Sequence, residues 1–231
     1  DYDDLLPGLA HVRLRGSFTD YRHDEVDGPT LYSRYTNEVW DGRIELTHTP
    51  LLGFVGTAGV QYTHGTFAGL DVNDLHTGST LVGSFGSGAY FKGPYDYITE
   101  NVGIFLSERR SFGPLDFEVA FRKDWRTISV PQTEFVMTPE LLEYVPAYEE
   151  NYGMPFEDII RDTFAQSNPG AKHDPLSASV AATWNLDSGY AVSLAFGHTE
   201  RAPNVRELYA NGNNLATNSY ELGLTKSPGD L

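Results

Sequence analysis

Residues 115–130 read LDFEVAFRKDWRTISV. Leu115, Phe117, Val119, Phe121 and Trp125 alternate with Asp116, Glu118, Ala120, Arg122, Asp124 and Arg126. Successive side chains of a strand point to opposite faces, so the stretch predicts one apolar face and one charged face. At about 3.3 Å per residue it runs roughly 50 Å, well beyond the usual strand of five or six residues in a soluble sheet. That length fits a tilted strand that crosses a bilayer and continues above it.

The same period extends in both directions along the chain. Residues 9–23, 35–48, 54–67, 98–110, 176–186 and 190–200 each alternate, which with 115–130 makes seven predicted strands. In the first, Val12, Leu14, Gly16 and Phe18 oppose His11, Arg13, Arg15, Ser17 and Thr19. Two arginines in a dry core would be costly without partners, whereas the wet interior of a large barrel tolerates them. The connections fall into two classes that alternate along the chain. Leu5–Gly8, Thr49–Gly53, Ser111–Pro114 and Asn185–Gly189 are short, and those near 23–34, 68–97, 131–174 and 201–219 are long. Short turns on one side and long loops on the other mark a bacterial outer-membrane barrel. Within the longest loop, residues 155–166 predict a helix, with Phe156, Ile159, Ile160 and Phe164 on one face. A second helix start is expected at Thr138-Pro139, with Thr as cap and Pro at the first position.

Composition narrows the classes of function. The 231 residues contain no cysteine, so disulfides and Cys-based zinc fingers are excluded. The net charge of −16 argues against nucleic-acid binding, which needs basic surface, and suits attraction of cations. No nucleophile elbow, His-Glu-x-x-His or phosphate loop occurs, so no enzyme is expected and no catalytic cofactor. Imidazoles and carboxylates do gather at strand ends. His23, Asp24 and Glu25 are consecutive at the top of the first strand, and His64, His76, His173 and His198 mark other strand ends or loops. Such donors suit zinc and other first-row metals without any thiol.

Residues 188–222 read SGYAVSLAFGHTERAPNVRELYANGNNLATNSYEL. An alternating strand, then Arg201-Ala202-Pro203, Glu207-Leu208-Tyr209, an Asn/Gly-rich stretch and Tyr220-Glu221-Leu222-Gly223 follow in order. The whole string resembles TonB-dependent outer-membrane receptors. Together with Tyr21–Gly28 and YTNEVWDGRIELTH at 35–48, it is most similar to their zinc-uptake branch. The resemblance implies an all-β fold, a transmembrane antiparallel β-barrel in the cell outer membrane, of which these are about seven of some 22 strands. Seven strands cannot close such a barrel, so residues 1–231 are expected to be an internal portion of it. The resemblance further implies a plug, and a TonB complex that engages an N-terminal segment outside these residues and drives release of the substrate inward.

In the zinc branch, plug and barrel hold the metal together, the barrel giving a histidine and a glutamate. His198 matches the histidine position, and Glu38 or Glu25 is the candidate carboxylate. Alternation places His198 with Phe196 and Glu38 with Trp40 on the outward face, so a bulge near the rim would be needed to turn them inward. The expected substrate is zinc or another divalent metal. The alternative is a ferric siderophore, suited by Tyr144, Tyr148 and Tyr152 and by Arg13, Arg15, Arg43 and Arg122. Against it, residues 132–174 carry nine acidic residues beside Arg161 and Lys172, a loop that draws a bare cation and repels an anionic chelate. A non-transport barrel, an adhesin or hydrolase, is the weaker third reading.

Overall fold

The computed structural model describes residues 2–3, 6–71, 95–132, 134–135, 137, 139–186, 188–214 and 219–226. Seven long strands follow one another as an antiparallel meander: β2 (Leu9–Asp27), β3 (Thr30–His48), β4 (Val55–Asp71), β5 (Tyr97–Phe112), β6 (Leu115–Ser129), β8 (Leu176–Asn185) and β9 (Ala191–His198). A two-residue β1 (Tyr2–Asp3) pairs with β2, and β7 (Ala171–His173) pairs antiparallel with the end of β6 at Arg126–Ile128. Each predicted strand is present. No described helix is long and apolar enough to cross a membrane.

Strand parity sorts the side chains as the alternation requires. One face carries exposed Leu14, Phe18, Trp40, Ile44, Val60, Ile104, Leu106, Phe121, Trp125, Val180 and Phe196. Cross-strand rows such as Leu14–Ile44–Val60–Ile104 make it continuous. From Leu115 to Trp125, ten steps of about 3.3 Å each and a tilt of about 40° span roughly 25 Å, the height of a barrel's apolar band. Phe18 and Trp40 meet at 4.4 Å toward the outer end, as an interfacial aromatic girdle does.

The opposite face is polar and internally matched. Glu45 lies among Arg13, Arg15 and Arg43 at 3.9, 3.3 and 2.6 Å. Asp41 accepts from Gln61 and Thr63, and Asp124 from Arg122 and Asn101. The arginines that would be costly in a dry core are therefore paired in the lumen wall.

Two connections differ from expectation. The loop expected at 23–34 is mostly strand. Pairing continues to Asp27↔Thr30 and the chain turns within Gly28-Pro29, Gly28 taking φ 56°. Polar residues at 23–27 and 30–34 disguise the extension, because above the membrane neither face of a strand has to be apolar. Residues 201–219, expected as polar loop, contain a helix and the first half of a hairpin, described below. The segment with Asp74, His76 and the glycine run at 83–88 lies outside the described residues.

The long loop from 131 to 174 builds α1 (Pro139–Leu142), α2 (Val145–Tyr152) and α3 (Phe156–Ser167). The expected cap Thr138 lies outside the described residues. In α3, Phe156, Ile160 and Phe164 are buried, as their shared helical face predicts, and Ile159 is half-buried. They form a small core with Tyr95, Tyr97, Ile128, Val205, Leu208 and Tyr209 above the sheet.

Candidate substrate site at the lumen mouth

Beyond Pro203 the chain makes α4 (Val205–Tyr209) and a hairpin of β10 (Asn211–Asn214) with β11 (Ser219–Leu222). Asn204 caps α4 through a reciprocal box: its side chain accepts from Glu207 N–H, and Glu207 accepts from Asn204 N–H. Arg201 forks onto Glu207 at 2.7 and 2.5 Å, and Arg206 forks onto Glu221 at 2.7 and 2.6 Å. The Arg201 guanidinium and the Asn204 N–H together hold the Glu207 carboxyl down at about 2. Glu221 pushes Arg206 up. Underneath, Val205, Leu208 and Tyr209 are buried, and the Tyr209 hydroxyl donates to the Pro169 carbonyl at 2.7 Å. Gly223 passes so close that an added Cβ would lie 2.3 Å from the Leu208 carbonyl oxygen. The Glu-Leu-Tyr and Tyr-Glu-Leu-Gly pieces of the sequence thus build one clamp at the rim.

Between this clamp and the strand tops opens a cavity of about 1000 Å³. His23 and Glu25 of β2 and Tyr35 and Asn37 of β3 form one wall, and Glu200 and Arg206 belong to the opposite one. Rings run from the cavity wall into the core above the sheet: Tyr21 to His23 at 6.4 Å, His23 to Tyr35 at 6.3 Å and Tyr35 to Phe67 at 6.3 Å line the cavity, then Phe67 meets buried Tyr97 at 6.2 Å and Tyr97 meets buried Tyr209 at 5.1 Å. His23 Nε2 stands 3.9 Å from Glu25 Oε1. The Ser33 hydroxyl donates to Glu25 Oε2 at 2.6 Å.

The five sequence candidates divide by parity. His23 and Glu25 face the cavity. Asp24 lies on the other face, where the forks of Arg22 and Arg34 hold it at 2.7 and 2.8 Å and keep its carboxyl well below the usual carboxylate range. Glu38 stands outward two residues from Trp40, in a row with Asp20 and Thr66. His198 stands outward opposite Ala178, and its Nε2 meets Glu200 Oε1 at 3.0 Å. Glu200 itself lines the cavity, its carboxyl lowered by the Leu176 N–H and then by His198. No register shift occurs in β3 near Glu38 or in β9, so no bulge turns either residue inward. Among the described residues no three His, Asp or Glu side chains come together as a metal site. Tyr148 and Tyr152 on α2, and Tyr144 just before it, lie exposed and outside the cavity lining.

Sequence reasoning missed Ser33, which bonds Glu25 behind the cavity wall, and Tyr35, Glu200 and Arg206, which line the cavity. Parity with Asn37 and Val39 on an extended β3 would have found the first two. Glu200 and Arg206 lie beyond strand periodicity and needed the clamp.

A model of the family described as TonB dependent receptor-like, beta-barrel, matches residues 2–231. The chain belongs to the TonB-dependent receptor β-barrel family. A barrel of this family sits in the outer membrane. A solved structure titled Copper transporter OprC is similar in fold, with a TM-score of 0.58 and 14% identity. The alignment covers 91% of this chain and 30% of that one, so the receptor chain spans less than a third of its length.

Proposed function

We propose that the whole receptor takes up a first-row divalent metal, zinc first, through TonB-driven movement of a plug, and that residues 1–231 are an internal portion of its barrel of about 22 strands. His23 and Glu25 are the barrel's ligands, and the plug completes the coordination. The observation that carries this reading is the His23–Glu25 pair, 3.9 Å apart on the cavity wall. One imidazole and one carboxylate are half of a four-coordinate zinc shell. His198 reaches the cavity through Glu200, while Asp24 and Glu38 take no part.

Charge supports a cation. Arg122, Arg201 and Arg206 line the cavity but are already matched by Asp124, Glu207 and Glu221, so an anionic chelate would have to displace carboxylates. Copper is the next metal to test, since the similar structure's title names it. The donor set is not the soft one that selects copper(I), because Met137 and Met154 lie outside the cavity lining. Uptake of a ferric siderophore is the second reading. It is favoured by Arg126, whose Nε is buried at the cavity without an acceptor, and by the run of aromatic rings.

The test uses the full-length receptor in detergent and in zinc-limited cells. Zinc, copper(II) and a ferric chelate compete for binding, with His23→Ala, Glu25→Gln, Glu38→Ala and His198→Ala as variants. Loss of zinc binding and growth in the first two alone supports the reading. Parent-like zinc binding in all four, with the ferric chelate as the tight ligand, transfers the function to chelate uptake.

A further inference from the structure

Glu25 owes its orientation to a cross-strand neighbour. The register of β2 on β3 shifts between Glu25↔Ser33 and Val26↔Leu31, leaving Tyr32 without a partner on β2. Below that bulge the register is unbroken from His11↔Thr47 upward, and it sets Ser33 directly opposite Glu25 on the lumen face. Ser33 is 3% exposed, the buried polar residue of the described chain. Its hydroxyl donates to Glu25 Oε2 at 2.6 Å, while Oε1 is the oxygen toward His23 Nε2. A carboxylate pinned through one oxygen presents the other in a fixed direction.

We infer that Ser33 is a positioning residue for the substrate metal, holding Glu25 so that Oε1 and His23 Nε2 converge on one ion. This rests on the zinc reading above. The metal would be bound through one carboxylate oxygen, which suits a small four-coordinate ion. A partner that orients a ligating carboxylate is typically worth about 10–100-fold in metal affinity.

The experiment measures zinc affinity of the full-length receptor by competition with a chromophoric chelator. Ser33→Ala and Ser33→Gly remove the hydroxyl, Ser33→Thr keeps it, and His23→Ala and Glu25→Gln control for the site itself. Heat-modifiable gel mobility checks that each variant has assembled as a barrel. The expected result is a loss of about 10–100-fold in Ser33→Ala and Ser33→Gly, with affinity restored in Ser33→Thr. Parent-like affinity in the hydroxyl-free variants, while His23→Ala and Glu25→Gln lose zinc, overturns the role of Ser33 and leaves the site standing. A loss that Ser33→Thr fails to restore also overturns it. Parent-like affinity in His23→Ala and Glu25→Gln overturns the site and the inference together.

Discussion

Gly59 faces the lumen opposite Phe105, where an added Cβ would lie 2.2 Å from the ring. The ring uses that space, and the Arg43 guanidinium lies over it at 4.2 Å from the centroid. Arg43 in turn bridges to Glu45 at 2.6 Å. Gly59→Val should therefore displace the ring and disturb the charge cluster, costing about 1–3 kcal/mol as overpacking does. Urea unfolding of the barrel in lipid vesicles measures it, and an unchanged midpoint would contradict this packing. On the other face, Ile44 stands 49% exposed between Leu14 and Val60. Ile44→Arg should cost about 2–4 kcal/mol near the bilayer midplane in the same assay.

At the scale of elements, α4 is five residues held by chemistry at both ends. It is too short to persist in water alone. The Asn204 box, the Arg201 fork and the buried Leu208 and Tyr209 keep it folded. Asn204→Ala should weaken the clamp by about 0.5–2 kcal/mol. Gly223→Ala should be worse, because the clash is with backbone. Glu207 adds a pH dependence. Its folded value lies at about 2, below an ordinary glutamate, so its contribution is complete above the unfolded value of about 4.3 and is lost as pH falls toward 2. The protection factors of the α4 amides, measured rates set against intrinsic exchange at each pH, should hold from about pH 7 to about pH 5 and fall below that. Protection that is lost already near neutrality would contradict the assignment.

The strands, unlike the clamp, were legible in the sequence. Residues 115–130 and their neighbours alternate because a membrane face must be apolar and a lumen face need not be. That constraint ends above the girdle, where His23–Asp27 and Thr30–Arg34 remain strand without an apolar face, and there the sequence reads as loop. The site was half legible for the same reason. Alternation already sets Glu38 and His198 outward, but His23, Asp24 and Glu25 form one cluster in sequence, which the structure divides between the two faces. Resemblance favoured His198 all the same. Ser33 follows by parity from Tyr35 and Asn37 once β3 is read as strand from Thr30, and the polar stretch at 30–34 hides that extension.

At the scale of the whole molecule, the chain is a curved wall with lipid on one side and a wet lumen on the other, topped by a core that joins three loops. Since the sequence has no cysteine, single cysteines report each face cleanly. Phe121→Cys should react with a lipid-phase thiol reagent, and Ser17→Cys with a water-soluble one. A reversed pattern would contradict the assignment of faces. The claim that binds fold to function is that the metal rests on His23 and Glu25 at the lumen mouth. Its most direct test is the zinc dissociation constant of the full-length receptor with His23→Ala set beside His198→Ala. The account predicts that His23→Ala weakens zinc by at least about tenfold, more than 1.4 kcal/mol, while His198→Ala stays near the parent. Strong loss in His198→Ala with parent-like binding in His23→Ala would contradict it.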